Sequence, residues 1–199
     1  MRVAPDGLRG LPFTNDAFRA RTLPAREAFF MTSSEPTVRP ATPADRPTVE
    51  RLWLMFRHDL SEFGGQLPNP DGTFRSERLE AAFSGSGDWA PYLISRGEHP
   101  VGFAFVRALS APIRVLNSFF VVRGVRREGV GLAAVREVVA RHPGEWEVAF
   151  QDDNADAVRF WRRVGEELAP GAWSEERRPV RGRPDLAPDV WVSFRYPSS

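Results

Sequence analysis

The chain contains neither cysteine nor lysine among its 199 residues. The first absence excludes disulfides, a cysteine nucleophile and thiolate metal sites, and it leaves the redox compartment open. The second makes all 27 basic residues arginine, the side chain that grips carboxylate and phosphate through a planar, two-pronged donor. Genomic base composition is enough to explain that choice. An excess of one charge is also missing: the 27 basic residues face 26 acidic ones, for a net charge of +1. No global field therefore draws the protein to nucleic acid or to a membrane. The apolar runs are too short to cross a bilayer, and the N-terminus lacks the long apolar core of a secretory signal. The expectation is a cytoplasmic protein with no nucleic-acid and no membrane partner. Of the three histidines, His99 and His142 fall in turns without ligand spacing, so no metal site is expected.

What is present has the balance of a globular domain, 42% hydrophobic and 27% charged, in a chain long enough for a sizeable core. Residues 1–36 differ, with scattered Pro, Gly and Arg and no period. Met31 precedes Thr-Ser-Ser-Glu-Pro, which looks like a fresh start. Residues 1–36 are thus expected to be an N-terminal extension, either a tail, an upstream translation artefact or a short packed segment. Residues 37–199 are expected to form the domain.

Within that domain Thr37–Ala41 predicts a short strand. Thr42, Pro43 and Asp45 predict a capped helix start, and Val49, Leu52, Trp53, Phe56 and Leu60 give it one apolar face. Gly64-Gly65 ends it. A second helix is expected over Arg75–Phe83, after a Pro/Asn/Gly loop. Tyr92–Ser95 and Val101–Ala108 flank a turn at Arg96–Pro100 and predict a hairpin. Val115–Val122, apolar except for Asn117 and Ser118, predicts a strand buried on both faces. A helix over Gly129–Arg141, a strand over Trp146–Phe150 and a helix over Asn154–Val164, stopped by Gly165, follow. Two strands are expected between Leu168 and Tyr196, joined by the Pro- and Arg-rich loop Arg177–Pro188. The strand–helix–strand order across residues 115–150 makes those strands parallel. The fold class is α/β: a mixed, mostly antiparallel sheet with one parallel pair and helices on both faces.

The segment Arg126-Arg127-Glu128-Gly129-Val130-Gly131-Leu132 carries Arg-x-x-Gly-x-Gly between a strand and a helix. Small residues let backbone N–H groups approach an anion, and the helix start points its positive end at it. A P-loop would need Lys and Ser/Thr where Leu132 and Ala133 stand. A dinucleotide fingerprint would need a third Gly and a place in the first βα turn. Taken alone, the segment also fits a tight turn with packing glycines.

A second segment, Asn154-x-x-Ala157-x-x-Phe160-Trp161-x-x-x-Gly165, begins four residues past the next strand. Together with the turn and the preceding Phe119-Phe120-Val121-Val122, it resembles the GCN5-related N-acetyltransferase (GNAT) superfamily, in a bacterial branch with undefined acceptors. The resemblance covers roughly residues 37–196. It implies that acetyl-CoA is the co-substrate and that the N–H groups of Arg127, Glu128, Gly129, Val130, Gly131 and Leu132 cradle its pyrophosphate, with the Arg126 side chain nearby. Pantetheine would lie between splayed strands, against Phe119, Phe120, Val121 and Val122 on one side and Trp146–Phe150 on the other. The Val121 N–H would polarise the thioester carbonyl. Asn154 would bond the pantetheine arm or act as a plain N-cap, and Phe160 and Trp161 would wall the site.

Two departures touch the chemistry. The family often has Tyr, as proton donor to the leaving thiolate, where Trp161 stands, and an indole N–H cannot release its proton near neutral pH. Many relatives carry a basic Glu in the central strand, where this chain has Asn117 and Ser118. His58 and Glu62, one helical turn apart in the first helix, are the replacement candidates, against the alternative of a solvated helix end. Arg177, Arg178, Arg181 and Arg183 are candidates for the CoA 3′-phosphate or an acidic acceptor, or else belong to a solvated loop. The implied activity is transfer of acetyl from acetyl-CoA to a primary amine, on a small-molecule or peptide acceptor, with a homodimer possible. The rival readings are a CoA-binding regulatory domain with impaired catalysis and an unrelated phosphate-binding module.

Overall fold

Thr37–Pro40 (β1) opens the domain in the computed structural model, which describes residues 35–197. The expectation of an extension over residues 1–36 therefore lies, apart from Glu35 and Pro36, outside the described residues. After β1 the Asp45 carboxylate accepts the Thr42 backbone N–H at 2.8 Å and the Arg39 guanidinium at 2.6 Å. The chain makes one 3₁₀ turn, Pro43–Asp45, before α1 proper begins at Arg46 and runs to Gly64. The predicted face is the buried one: Val49, Leu52, Trp53 and Phe56 all lie in the core. Gly65 stops the helix in a left-handed conformation, φ +60°, that costs glycine little. Glu77–Ala82 (α2) is shorter than expected.

Seven strands form one sheet in the order β1-β2-β3-β4-β5-β7-β6. They are β2 (Trp89–Arg96), β3 (His99–Arg107), β4 (Ile113–Val121), β5 (Gly144–Phe150), β6 (Ser174–Arg178) and β7 (Asp189–Tyr196), besides β1. The β2–β3 turn is tighter than predicted: Gly97 takes φ +58°, and Pro100 already pairs with Ser95. Every pairing is antiparallel except β4–β5. Helices cover both faces, as the crossover required. Val130, Val135, Val138 and Val139 of α3 (Val130–Ala140) and Trp161, Val164 and Leu168 of α4 (Ala155–Leu168) pack on one face. On the other, Val49, Leu52, Trp53 and Phe56 of α1 and Leu79 of α2 pack on Leu93, Phe103, Phe105 and Phe120.

Gly165 does not end α4; the helix continues to Leu168. A Cβ at Gly165 would stand 2.7 Å from the Trp173 ring. The glycine is there to let that indole lie against the helix, a tertiary demand that imitates a stop signal.

Candidate active site

The parallel pair is joined only at its beginning. β4 meets β5 through Ile113/Glu145, Arg114/Trp146 and Val115/Glu147. Beyond that point β4 stays on β3 as far as Val121, while β5 stays on β7 as far as Phe150. A gap therefore opens between the two strands. Near its closed end Phe105 opposes Ser118 and Val106 opposes Leu116, which leaves Asn117 as the extra residue of a bulge.

The register says which backbone groups face the gap. Val122 donates its N–H to Val101 on β3 at 2.8 Å. Alternate residues of an antiparallel strand point the other way, so Val121 and, two residues back, Phe119 turn their N–H and C=O toward the gap. Backbone polar groups seldom stay without a partner. An extended ligand with amide groups is the kind of molecule that supplies partners there.

The glycine turn stands at the open end. Arg127 and Gly129 both have left-handed φ, +67° and +84°; Gly129 is the N-cap residue of α3. Nothing lies within 4 Å of a Cβ built at Gly129, so that glycine serves backbone conformation and ligand approach rather than packing. Gly131 has a different reason: a Cβ there would meet the Phe160 ring at 3.1 Å. Phe160 in turn stacks on Phe119, with centroids 5.7 Å apart and planes at 9°. Trp161 meets both rings edge-on at 4.8 and 5.6 Å and is buried. The second motif thus reaches the first through aromatic contact beneath the turn.

Arg126, which opens the turn, reaches back onto β4 and α1. Its Nε donates to the Val121 carbonyl at 2.7 Å and its Nη2 to Asp59 Oδ2 at 2.5 Å, and its guanidinium lies 5.6 Å from the Phe120 ring centroid. Asp59 also accepts from Arg123 at 3.0 Å. Burial pushes the Asp59 carboxyl upward, but the two guanidiniums outweigh it and hold the carboxyl below its ordinary value. Arg126 thus ties the end of β4 to α1 and occupies the Val121 carbonyl, which leaves the N–H of the same residue for a ligand. Asp59 was missed in the sequence, where it stands between His58 and Glu62 with nothing to separate it from them.

Asn154 accepts the Ala157 N–H on Oδ1 at 3.0 Å and so caps α4. The N-cap alternative describes that oxygen, and the Nδ2 amide remains for a ligand. Val122, Val130 and Leu132 pack as partly or fully buried apolar groups on the core, and Glu128 pairs with Arg96 at 2.5 Å.

His58 and Glu62 stand on the solvent side of α1. Their side chains are 80% and 67% exposed, and the Glu62 carboxylate stands 3.9 Å from Arg123. The carboxyl with a shifted environment is Asp189, at the start of β7. It is half-buried and is the only one among the described residues pushed above its ordinary value, by burial, against the opposing charge of Arg78. The C-terminal arginines have carboxylate partners nearby: Arg177 with Asp152 at 2.7 Å, Arg178 with Glu147 at 2.8 Å and Arg183 with Asp185 at 2.7 Å.

A sheet with one splayed parallel pair and a helix start at its mouth defines an acyl-CoA-dependent N-acyltransferase. Residues 52–165 match the model of the Acetyltransferase (GNAT) family, and the chain belongs to that family: it is an acetyltransferase. No curated protein matches the sequence. Among solved structures it is similar to the ribosomal-protein-S18-alanine N-acetyltransferase from Escherichia coli, at 12% identity and TM-score 0.56, covering 82% of this chain and 96% of that one. It is similar to an acetyltransferase from Thermus thermophilus at 16% identity and TM-score 0.59, covering 81% and 97%. PaiA N-acetyltransferase from Thermoplasma acidophilum, in complex with coenzyme A, matches at 12% identity and TM-score 0.59, covering 81% and 99%. At such identities the likeness is one of fold.

Proposed function

We propose that residues 37–199 form the catalytic domain and move an acetyl group from acetyl-CoA to a primary amine by direct attack. The observation that carries this reading is the end of β4–β5 pairing at Val115/Glu147, with the Gly129–α3 start at the mouth of the gap. The N–H groups of Arg127–Leu132 hold the pyrophosphate, where a helix N-terminus favours negative charge. Pantetheine takes up the gap-facing groups of Phe119 and the free amide of Asn154. The Val121 N–H bonds the thioester oxygen and stabilises the oxyanion as the C–N bond forms. The C–S bond then breaks and the thiolate leaves. A thiol has an ordinary pKa near ~8.5, so the leaving group needs no acid at Trp161.

The amine, with a pKa near ~10.4, must lose a proton. Asp189, next to Val190 that pairs with Phe150 at the end of β5, is the carboxyl we assign to take that proton ahead of Glu62 and His58, because burial raises its pKa while those two are exposed.

Calorimetry with CoA and thiol release from acetyl-CoA with an amine library test the reading. Gly129→Glu puts a bulky anion at a left-handed position facing the pyrophosphate, and CoA binding is expected to be lost in the folded variant. Survival of the affinity would remove the turn from the binding site. Asp189→Asn is expected to lower kcat and flatten its pH dependence, whereas an unchanged profile returns the assignment to Glu62 or His58.

A further inference from the structure

Most arginines among the described residues pair with a carboxylate, as Arg162 does with Glu175 at 2.6 Å and Arg178 with Glu147 at 2.8 Å. Arg57 is the exception in the core. It is 6% exposed, no carboxylate among the described residues comes within ion-pair distance of it, and its Nε is buried without a hydrogen-bond partner. Its one bond among the described residues is from Nη2 to the Gln66 side chain.

Its neighbours are of the same sign. The guanidinium lies 5.9 Å from the Trp53 ring centroid, and Trp53 Nε1 donates to the backbone carbonyl of Arg75 at 3.1 Å. Burial and the nearby charges of Arg75 and Arg78 push the Arg57 pKa down. Arg78, on α2, reaches the carbonyl of the bulge residue Asn117 at 3.4 Å. It is open to solvent, and desolvation, with the charges of Arg75 and Arg107, lowers its pKa too. Glu77, 3.3 Å from Arg75, and Asp189 are the carboxylates felt by this group.

The cluster lies where an acceptor would enter. α1 crosses the α1/α2 face of the gap: Asp59 touches the segment after β4, and Gly64 approaches Gln151, just past β5, to 3.8 Å from an added Cβ. Arg57 sits on the same helix, bonded to Gln66 just after Gly64, and Arg78 touches the bulge at the closed end of the gap. The pyrophosphate cradle, at the start of α3, is on the other side of the sheet.

A buried cation with no counter-charge among the described residues is costly to keep. A site that keeps one has a use for an incoming anion. We propose that Arg57 and Arg78, with Arg75, form an anion subsite that selects amine acceptors bearing a carboxylate or a phosphate. The substrate class is then a small amine with an acidic group, of the amino-acid or phosphorylated-amine kind. The proposal rests on the acetyltransferase reading above and deepens it.

Two measurements test it. Thiol release is compared between matched acceptors: an amino acid against its amide, and O-phosphoethanolamine against ethanolamine. A preference for the charged member of either pair, tenfold or more in kcat/KM, is expected, and the pair that shows it names the anion. Equal use of charged and neutral members overturns the subsite while leaving the acetyltransferase intact.

The second measurement needs no turnover. With CoA saturating, so that the pyrophosphate site is filled, inorganic phosphate is compared with chloride at equal ionic strength for its effect on Tm. Phosphate is expected to raise the Tm of the wild type by several degrees, with no rise in Arg57→Met or Arg78→Gln, while the Kd for CoA stays within twofold. The same rise in the variants as in the wild type, or none in the wild type, overturns the proposal. A chain that shows the phosphate effect but acetylates nothing keeps the subsite and fails the acetyltransferase reading instead.

Discussion

Asp59 Oδ2 receives Arg126 Nη2 at 2.5 Å, and through that one contact the first helix holds the residue that opens the glycine turn. The same guanidinium bonds the Val121 carbonyl, so the carboxylate of α1, the end of β4 and the start of the cofactor turn form one unit. Asp59→Asn keeps the shape and removes the charge. CoA affinity is expected to fall by roughly 3–10-fold, about 1 kcal/mol, with a smaller loss of folding stability because Arg126 is partly exposed. Calorimetry and a melting curve on the same variant check both. An unchanged Kd would mean that the turn keeps its geometry without the tether.

Trp161 packs on Phe119 and Phe160 and is buried. Its indole N–H does not titrate in the working range. Trp161→Phe is therefore expected to lower stability by about 1–3 kcal/mol through lost packing while leaving the pH profile of kcat in place. A shifted profile would give Trp161 a part in proton transfer that its chemistry does not allow it directly.

Arg57 makes a prediction opposite in sign to that of most core substitutions. Arg57→Met keeps length and apolar volume and removes a buried charge that has no carboxylate partner among the described residues, so the desolvation cost of that charge is relieved. The melting temperature is expected to rise. A fall would show that the Gln66 bond and the packing on Trp53 outweigh the buried charge.

His142 supplies a pH dependence. Its ring contacts the Tyr92 hydroxyl at 2.5 Å. Burial first, then the charges of Arg114 and Arg141, hold its pKa below the ordinary value. The folded protein therefore binds this proton less readily than the unfolded chain, whose histidine titrates near ~6.5. The contribution is fully present above that pH and declines as pH falls through it. Tm is expected to drop between pH 7.5 and 5.5, and the slope to flatten in His142→Gln. Equal slopes would show that other groups set the acid limit.

The elements around the site were legible because their signals are local. The apolar face of α1, the alternation of β5, the glycine turn and the Asn154 cap each depend on residues within a turn or two of one another. The pairing of the two motifs was enough to identify the family. Site residues were less so. Arg126 carried the motif, but its partner Asp59 lies 67 residues earlier, and no spacing rule distinguishes Asp59 from His58 or Glu62. Gly165 read as a stop and proved to be a seat for Trp173, a contact made only once β6 folds back.

The sequence by itself determined the kinds and order of the helices and strands, the glycine turn and the family, because backbone propensity and hydrophobic period act over short distances. Only the tertiary structure decided where β4 and β5 part, which backbone groups face the gap and which arginines lack a counter-charge. Those are properties of neighbours brought together from distant parts of the chain. A charge is paired or unpaired, and a backbone group satisfied or free, only when the whole surroundings are in place.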